Sequence, residues 1–449
     1  MKKRNILATV AAVGLCVATA APAAAFENEF HGMFSARYIN SNFNRTETTD
    51  YNGLGDGNYD PTGKNKKQFS ANFIEQRARL KYIAKANADL KLVTQFELDY
   101  AYWGNNSYTT ARNGGAALGA DTINIETKSI YLDANPAKNL NMKLGMMPNN
   151  DAFKGILFDA DMAGIMLSSN YGKFAPSIGY YRFNDNGANK DKVLGHNTND
   201  LFMLDGKYEV SKNLKLGAAY YFFRDNQAQT GKPNNDVKIS SFGLNGEYVS
   251  GPLTLSGFLI YQTGWNNLLV GKKTYVNAFA GNIGAKVNAG PGTARAELLY
   301  VSGSDDGKNS FYSVDAENGY YSNEMVMLGR DKNAYTTDNA IIFDGSNKGQ
   351  GQIGAYFGYD LPVTPKLSTA ANLGFAWVAH RNAKSYSQSN SKFLGTEINA
   401  EANYQILDGF TAGVRAGYVF LGGQFDNVAL GNKTPVNPYD AKLIFTYSF

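Results

Sequence analysis

Cysteine is almost absent from this chain: Cys16 is the only one in 449 residues. Disulfide frameworks and thiol chemistry are therefore excluded for everything that follows it. Histidine is nearly as scarce, and His31, His196 and His380 lie far apart in sequence. A hydrolase needs a nucleophile, a base beside it and a group that orients the base. No local spacing offers one, so the chain reads as non-enzymatic, without cofactor or bound metal. Asp56, Asn58 and Asp60 have the spacing of a calcium loop. Pro61 and Lys67 then stand where such a loop needs Gly and a bidentate Glu, so the run reads as a turn. Beyond residue 25 no hydrophobic run is long enough to cross a bilayer as a helix. Excess charge is missing too: of 43 basic residues three fall in the first four positions, and the rest nearly balance 39 acidic ones. Nucleic acid, which asks for a concentrated basic surface, is excluded as a partner.

Residues 1–25 read as a removable export signal. Lys2, Lys3 and Arg4 form a basic start, Ile6 to Ala20 is apolar, and Ala23, Ala24 and Ala25 offer a cleavage site. Leu15 before Cys16 argues against lipid attachment there. Residues 26–449 then form one domain.

What the chain has in abundance is Gly (47), Tyr (29) and Phe (27). They recur with a period of two. In the last eleven residues Tyr439, Ala441, Leu443, Phe445, Tyr447 and Phe449 share one parity, and Asp440, Lys442, Ile444, Thr446 and Ser448 share the other. Such a strand suits lipid on one side and water on the other. Similar segments recur along the chain: 30–38, 78–84, 92–102, 130–134 and 140–146 in the first third, with less regular ones near 162–170 and 174–183. Short Gly-, Pro-, Asn- or Asp-containing turns alternate with long polar connections at 42–68, 104–121, 184–199, 303–349, 381–392 and 421–437. This layout predicts an all-β fold, a transmembrane antiparallel β-barrel of about 18 strands (16 if one hairpin is miscounted), with short turns on one side and long loops on the other. Its width leaves an aqueous channel rather than a packed core.

Several segments carry a resemblance. The terminal Phe449 resembles the C-terminal assembly signal of Gram-negative outer-membrane barrels. Q-R-A-R-L-K-Y (76–82), Y-L-D-A-N-P (131–136) and L-G-M-M-P (144–148) resemble strands of Gram-negative porins. The stretch 151–164 sits where porins fold their third loop into the barrel. Length and loop pattern are similar to the OmpJ-type outer-membrane channels of metal-reducing bacteria. The resemblance implies residence in the bacterial outer membrane, passive diffusion of small hydrophilic solutes and ions, contact with the lipid bilayer, insertion by the barrel assembly machinery and a homotrimer.

If the apolar parity faces lipid, the other lines the lumen. On the second strand that set is Glu75, Arg77, Arg79 and Lys81, and on the third Gln95, Glu97 and Asp99. These charges could simply pair across neighbouring strands. Alternatively, Arg77, Arg79 and Lys81 form the basic wall of a constriction, with Asp151, Asp159 and Asp161 of the third loop, against Lys154, as its acidic side. Opposed charge in a narrow pore aligns dipolar solutes and sets ion preference. Basic and acidic residues balance over the whole lumen parity, which implies weak selectivity. Two other functions fit the layout: an adhesive or structural barrel whose Tyr-rich loop 303–349 binds partners, and a sheath around an electron-transfer protein. The sheath needs a wider lumen, of around twenty strands or more.

Overall fold

The computed structural model describes residues 27–43, 70–104, 118, 125–185, 193–228, 233–268, 272–305, 308–314, 320–333, 339–381, 391–426 and 436–449, without the side chains of 99–102. The expected export signal and the run 56–60 lie outside the described residues. The strands are β1 (Glu27–Ser41), β2 (Ala71–Asn87), β3 (Leu90–Tyr102), β4 (Ile125–Ala137), β5 (Leu140–Asn150) and β6 (Asp159–Ser169). There follow β7 (Phe174–Asp185), β8 (Thr198–Ser211), β9 (Leu214–Asp225), β10 (Val237–Ser250), β11 (Leu253–Asn266) and β12 (Thr274–Ala289). The last are β13 (Gly292–Val301), β14 (Gln352–Thr364), β15 (Leu367–Trp377), β16 (Phe393–Leu407), β17 (Phe410–Leu421) and β18 (Tyr439–Ser448). Each pairs antiparallel with its sequence neighbours, and β18 pairs back onto β1, closing an 18-stranded barrel. Closure leaves no strand at an edge, as a span without water to satisfy backbone groups requires.

Both described termini and the eight short turns share one rim, with the long connections at the other. The turns are tight because Gly251, Gly290 and Gly409 take φ of 56°, 61° and 73°, which a side chain would resist.

Alternation does what the sequence pattern predicts on the outside. On β18 and just after it, Leu443, Phe445, Tyr447 and Phe449 point out and are 37–54% exposed, while Asp440 and Lys442 are at most 2% exposed. The same outward apolar parity runs through Phe30, Phe34 and Tyr38 on β1 and through Leu244, Leu259 and Ile283 on β10, β11 and β12. An apolar surface continuous over a barrel is far larger than water tolerates, and it matches the lipid-facing band of membrane barrels. An arginine there costs about 2–4 kcal/mol near mid-membrane. We therefore expect Leu443→Arg to lower stability in a lipid unfolding assay by that amount, with Thr446→Arg, on the inner parity, far milder. Equal stabilities would reject this register.

The chain end is fastened at the seam. Phe449 N–H donates to Gly32 O at 3.0 Å, and Gly32 N–H donates to Phe449 O at 2.9 Å. The Phe449 ring lies over Gly32, where an added Cβ would come within 2.2 Å of it, and stacks on Tyr447 with centroids 5.5 Å apart. Deleting Phe449 removes both bonds and the stack at the closing seam. The expected result is export without normal insertion, read as a loss of the heat-modifiable folded band; full yield of that band would refute it.

The interior departs from a simple polar lumen. Leu201, Met203, Phe223, Ile239, Phe258, Ile260, Val276, Val301 and Val419 point inward and are buried. They are dry because two connections fold into the barrel and cover them. One is the β5–β6 connection, expected from the resemblance. The other is the 302–351 connection, which the sequence pattern placed outside as a loop available to partners; its described parts instead pack Met325 to Leu328, Ile341 and Ile342 into the core.

Candidate functional site

The first inner element is the top of the β5–β6 hairpin. β5 pairs with β4 only as far as Met146↔Ile130, and β6 pairs with β7 only from Ala163↔Arg182 onward. Between those points β5 and β6 pair with each other up to Asn150↔Asp159, so the hairpin leaves the wall on both sides. Gly145 permits the departure: its φ is 133°, and a Cβ there would lie 2.4 Å from Ile130 O. The inner parity, Met147 and Met162, packs into the core, and Asn149 donates to Tyr181 Oη at 2.9 Å.

Asp151 holds the tip. Its carboxylate accepts N–H bonds from Phe153, Gly155, Leu157 and Phe158 at 2.6–3.0 Å. Burial pushes this carboxyl up to about 6 even against those four donors. Phe153 sits over Gly243, with Tyr221 and Phe258 rings 5.8 Å away. Asp151 is thus a staple within the loop and does not line the pore, contrary to the sequence expectation. Its run D-A-F-K-G reads as a wall charge only if the appetite of Asp for nearby backbone N–H groups is overlooked.

The second inner element is tied to the wall by charge. The Glu397 carboxylate accepts N–H bonds from Val326, Met327 and Leu328 at 2.6–3.0 Å. Asp331, 1% exposed, pairs with Arg415 and, at 3.1 Å, with Lys442. Lys332 reaches Glu324 at 2.7 Å and Glu401 at 3.2 Å, and Arg37 donates to Asn333 O at 3.3 Å. The two inner elements meet at Glu297, which accepts from Lys154 at 2.8 Å and from Ser322 at 2.6 Å.

Between these elements and the wall formed by β1, β2, β4 and β16–β18 a cavity of about 690 Å³ stays open. Arg37, Arg77, Arg79, Lys128 and Lys332 line it, opposed by Asp159 and Glu401, with Ser35, Asn403, Thr411 and Thr446 supplying neutral polar groups. Arg77 and Arg79 straddle Glu97, at 3.7 Å and in direct contact respectively, and Arg37 contacts Glu75. Arg77 and Arg79 thus pair across the strands with Glu97 and also line the cavity. Glu75 and Glu97 are buried behind guanidinium groups that face the cavity.

The remaining candidates divide. Lys81, opposite His31 and Gln95, sits nearer the short-turn rim and is not among the residues lining this cavity. The side chain of Asp99 lies outside the described residues. Asp159 and Asp161 belong to β6 rather than to the loop; Asp159 lines the cavity, and Asp161 pairs with Lys128 at 2.7 Å. Lys128 was not foreseen, because a bulge between β3 and β4 at Gln95/Phe96 re-aims it inward. Glu401 lies on the lumen parity of its strand, whereas Asp331 and Lys332 could have been suspected only by recognising that M-V-M-L (325–328) is too apolar for a solvated loop. Among the described residues no group of three or more His, Cys, Asp or Glu side chains could hold a metal ion.

No protein-family model and no curated protein sequence matches the chain. Solved structures do. Pseudomonas aeruginosa OpdO is similar over 94% of this chain and 97% of its own, with a TM-score of 0.56 at 13% identity. Acinetobacter baumannii OccAB4 gives 0.54 at 15% identity, over 94% and 98%. A BenF-like porin from Pseudomonas fluorescens Pf-5 gives 0.53 at 14%, over 94% and 98%. The closed 18-stranded barrel is the fold these structures share with it.

Proposed function

We propose that this protein is an outer-membrane porin, a water-filled passage through which small hydrophilic solutes and ions diffuse passively. The observation that carries the reading is the open, charged cavity left between inner loops and wall inside a barrel whose outer face is apolar. Narrowing by tethered loops suits discrimination among small solutes. It also argues against a sheath, since the space beside the loops is far too small for a second protein. Five cationic side chains face two carboxylates there, while Glu75, Glu97 and Asp161 pair with Arg37, with Arg77 and Arg79, and with Lys128, so a modest preference for anionic solutes is expected. Homotrimeric assembly and insertion by the barrel assembly machinery belong to the same reading and rest on the porin resemblance.

The test is planar-bilayer recording of the purified protein. Discrete conductance steps with an anion-selective reversal potential under a salt gradient are expected. A barrel that inserts and stays silent would refute the passage, leaving the adhesive alternative.

A further inference from the structure

Charged residues on the lipid-facing parity are expensive near mid-membrane and tolerated only near its surfaces. On one arc of this barrel they gather. At the long-loop end of β9 to β12 the ladder aligns Arg224, Lys238, Trp265 and Tyr275 as successive partners across four strands. All four lie on the outward parity, since their neighbours Phe223, Val237, Ile239 and Val276 are buried inside. Lys238 Nζ lies 5.0 Å from the Trp265 ring centroid, and Lys273 Nζ lies 4.0 Å from it. Asp236 accepts from Trp265 Nε1 at 2.8 Å and pairs with Lys273 at 3.6 Å. Among the described residues no carboxylate lies within ion-pair distance of Arg224 or Lys238.

Four residues further along the same strands, Tyr220, Phe242, Tyr261 and Phe279 form a second outward row, with Tyr220–Phe242 and Tyr261–Phe279 centroids 4.9 and 5.0 Å apart. At about 3.3 Å per residue the rows are separated by roughly 13 Å along the strands. Aromatic rows mark the boundary between hydrocarbon and headgroups. The cationic row then lies at headgroup level on the side of the long loops.

We propose that this arc binds the phosphorylated headgroup of an outer-leaflet glycolipid. Phosphate is held by Arg224, Lys238 and Lys273, and the acyl chains descend over the aromatic row. The ammonium groups are positioned by the indole face, which keeps them above the ring rather than dispersed in water. Basic clusters at a membrane surface recognise anionic headgroups in this way. The proposal rests on the outer-membrane reading given above.

Binding of a bisphosphorylated lipid A to the purified protein in mixed micelles, followed by native mass spectrometry, tests it. The variant carries Arg224→Glu, Lys238→Glu and Lys273→Glu; the control carries Lys212→Glu and Lys366→Glu in short turns at the opposite rim. Wild type and control are expected to bind at least tenfold more tightly than the triple variant. Wild type should also prefer the bisphosphorylated lipid over the same lipid without phosphate by a similar factor. Equal binding by the triple variant, or equal binding of the phosphate-free lipid, overturns the proposal. Displacement by millimolar inorganic phosphate would reveal a site for free anion and overturn it as well. Bilayer conductance of the same proteins separates the two ideas: a silent wild type that still binds lipid A fails as a channel alone.

Discussion

Replacing Arg77 and Arg79 together by Gln is expected to turn the channel from anion preference towards cation preference at low salt. Both side chains line the open cavity and both are partners of Glu97. The change removes two positive charges and uncovers a negative one, so its effect exceeds that of a simple deletion. A unit charge about 4 Å from a passing ion is worth about 1 kcal/mol in bulk water and about 4 kcal/mol where protein walls lower the effective dielectric. The permeability ratio should therefore move at least several-fold, measured as the reversal potential across a planar bilayer. At 1 M salt, where the screening length is about 3 Å, most of the shift should vanish. Adding Lys81→Gln should change little further, because Lys81 stands outside the cavity. A reversal potential unmoved by the double replacement would place the constriction elsewhere.

The second large effect is expected from Asp331→Ala. Asp331 is buried between Arg415 and Lys442 and anchors the inner loop to β17 and β18. Removing one partner of a buried ion pair costs about 3–5 kcal/mol, because the charge left behind is no longer compensated. Arg415 keeps Glu401 at 3.5 Å and Lys442 keeps Asp440 at 3.4 Å, so the expected cost lies at the lower end of that range. The cheapest relief is for the loop to leave the wall and admit water to both. Conductance should rise, and the segment 320–333 should become open to protease in detergent while the barrel keeps its heat-modifiable band. Glu397→Gln tests the neighbouring tether and should act in the same direction more weakly, since an amide oxygen still accepts one or two of the three N–H bonds. Wild-type conductance and protease resistance in Asp331→Ala would show that the loop is held by its apolar packing alone.

The outer face of this barrel was legible in the sequence because lipid imposes a period of two on each strand, and the last strand from Tyr439 to Phe449 displays it almost without interruption. The inner face was less so. Water tolerates polar and small residues in any order, so lumen positions carry little pattern of their own. Where loops cover the wall, the inner positions turn apolar and the alternation disappears: Tyr220 to Phe223 and Phe258 to Tyr261 are continuous apolar runs. Such runs are the sequence mark of a wall covered on both sides. Arg77 and Arg79, on the inner parity of β2, line the cavity. Asp151 was expected at the constriction because the resemblance gives a loop its place but not the direction of its side chains, and here the carboxylate satisfies the loop's own backbone. Lys128 escaped because a single bulged residue shifts parity.

The seam has a consequence for biogenesis. Every other pairing in this barrel joins strands that are consecutive in the chain, whereas β1 and β18 are joined by nine residue pairs, Met33↔Ser448 to Ser41↔Asp440, across almost the whole sequence. The neighbouring hairpin of β1 and β2 has fifteen. Seventeen local zippers can form as the polypeptide arrives, but the ring can shut only after the final residues have been made. Contacts so distant in sequence are the slow step of folding. Until then, β1 and β18 present unpaired backbone to any other strand, including that of another nascent copy. Since the ends meet at one rim, a head-to-tail fusion reopened within a long loop would preserve all eighteen pairings while moving the late step to a different place on the circumference.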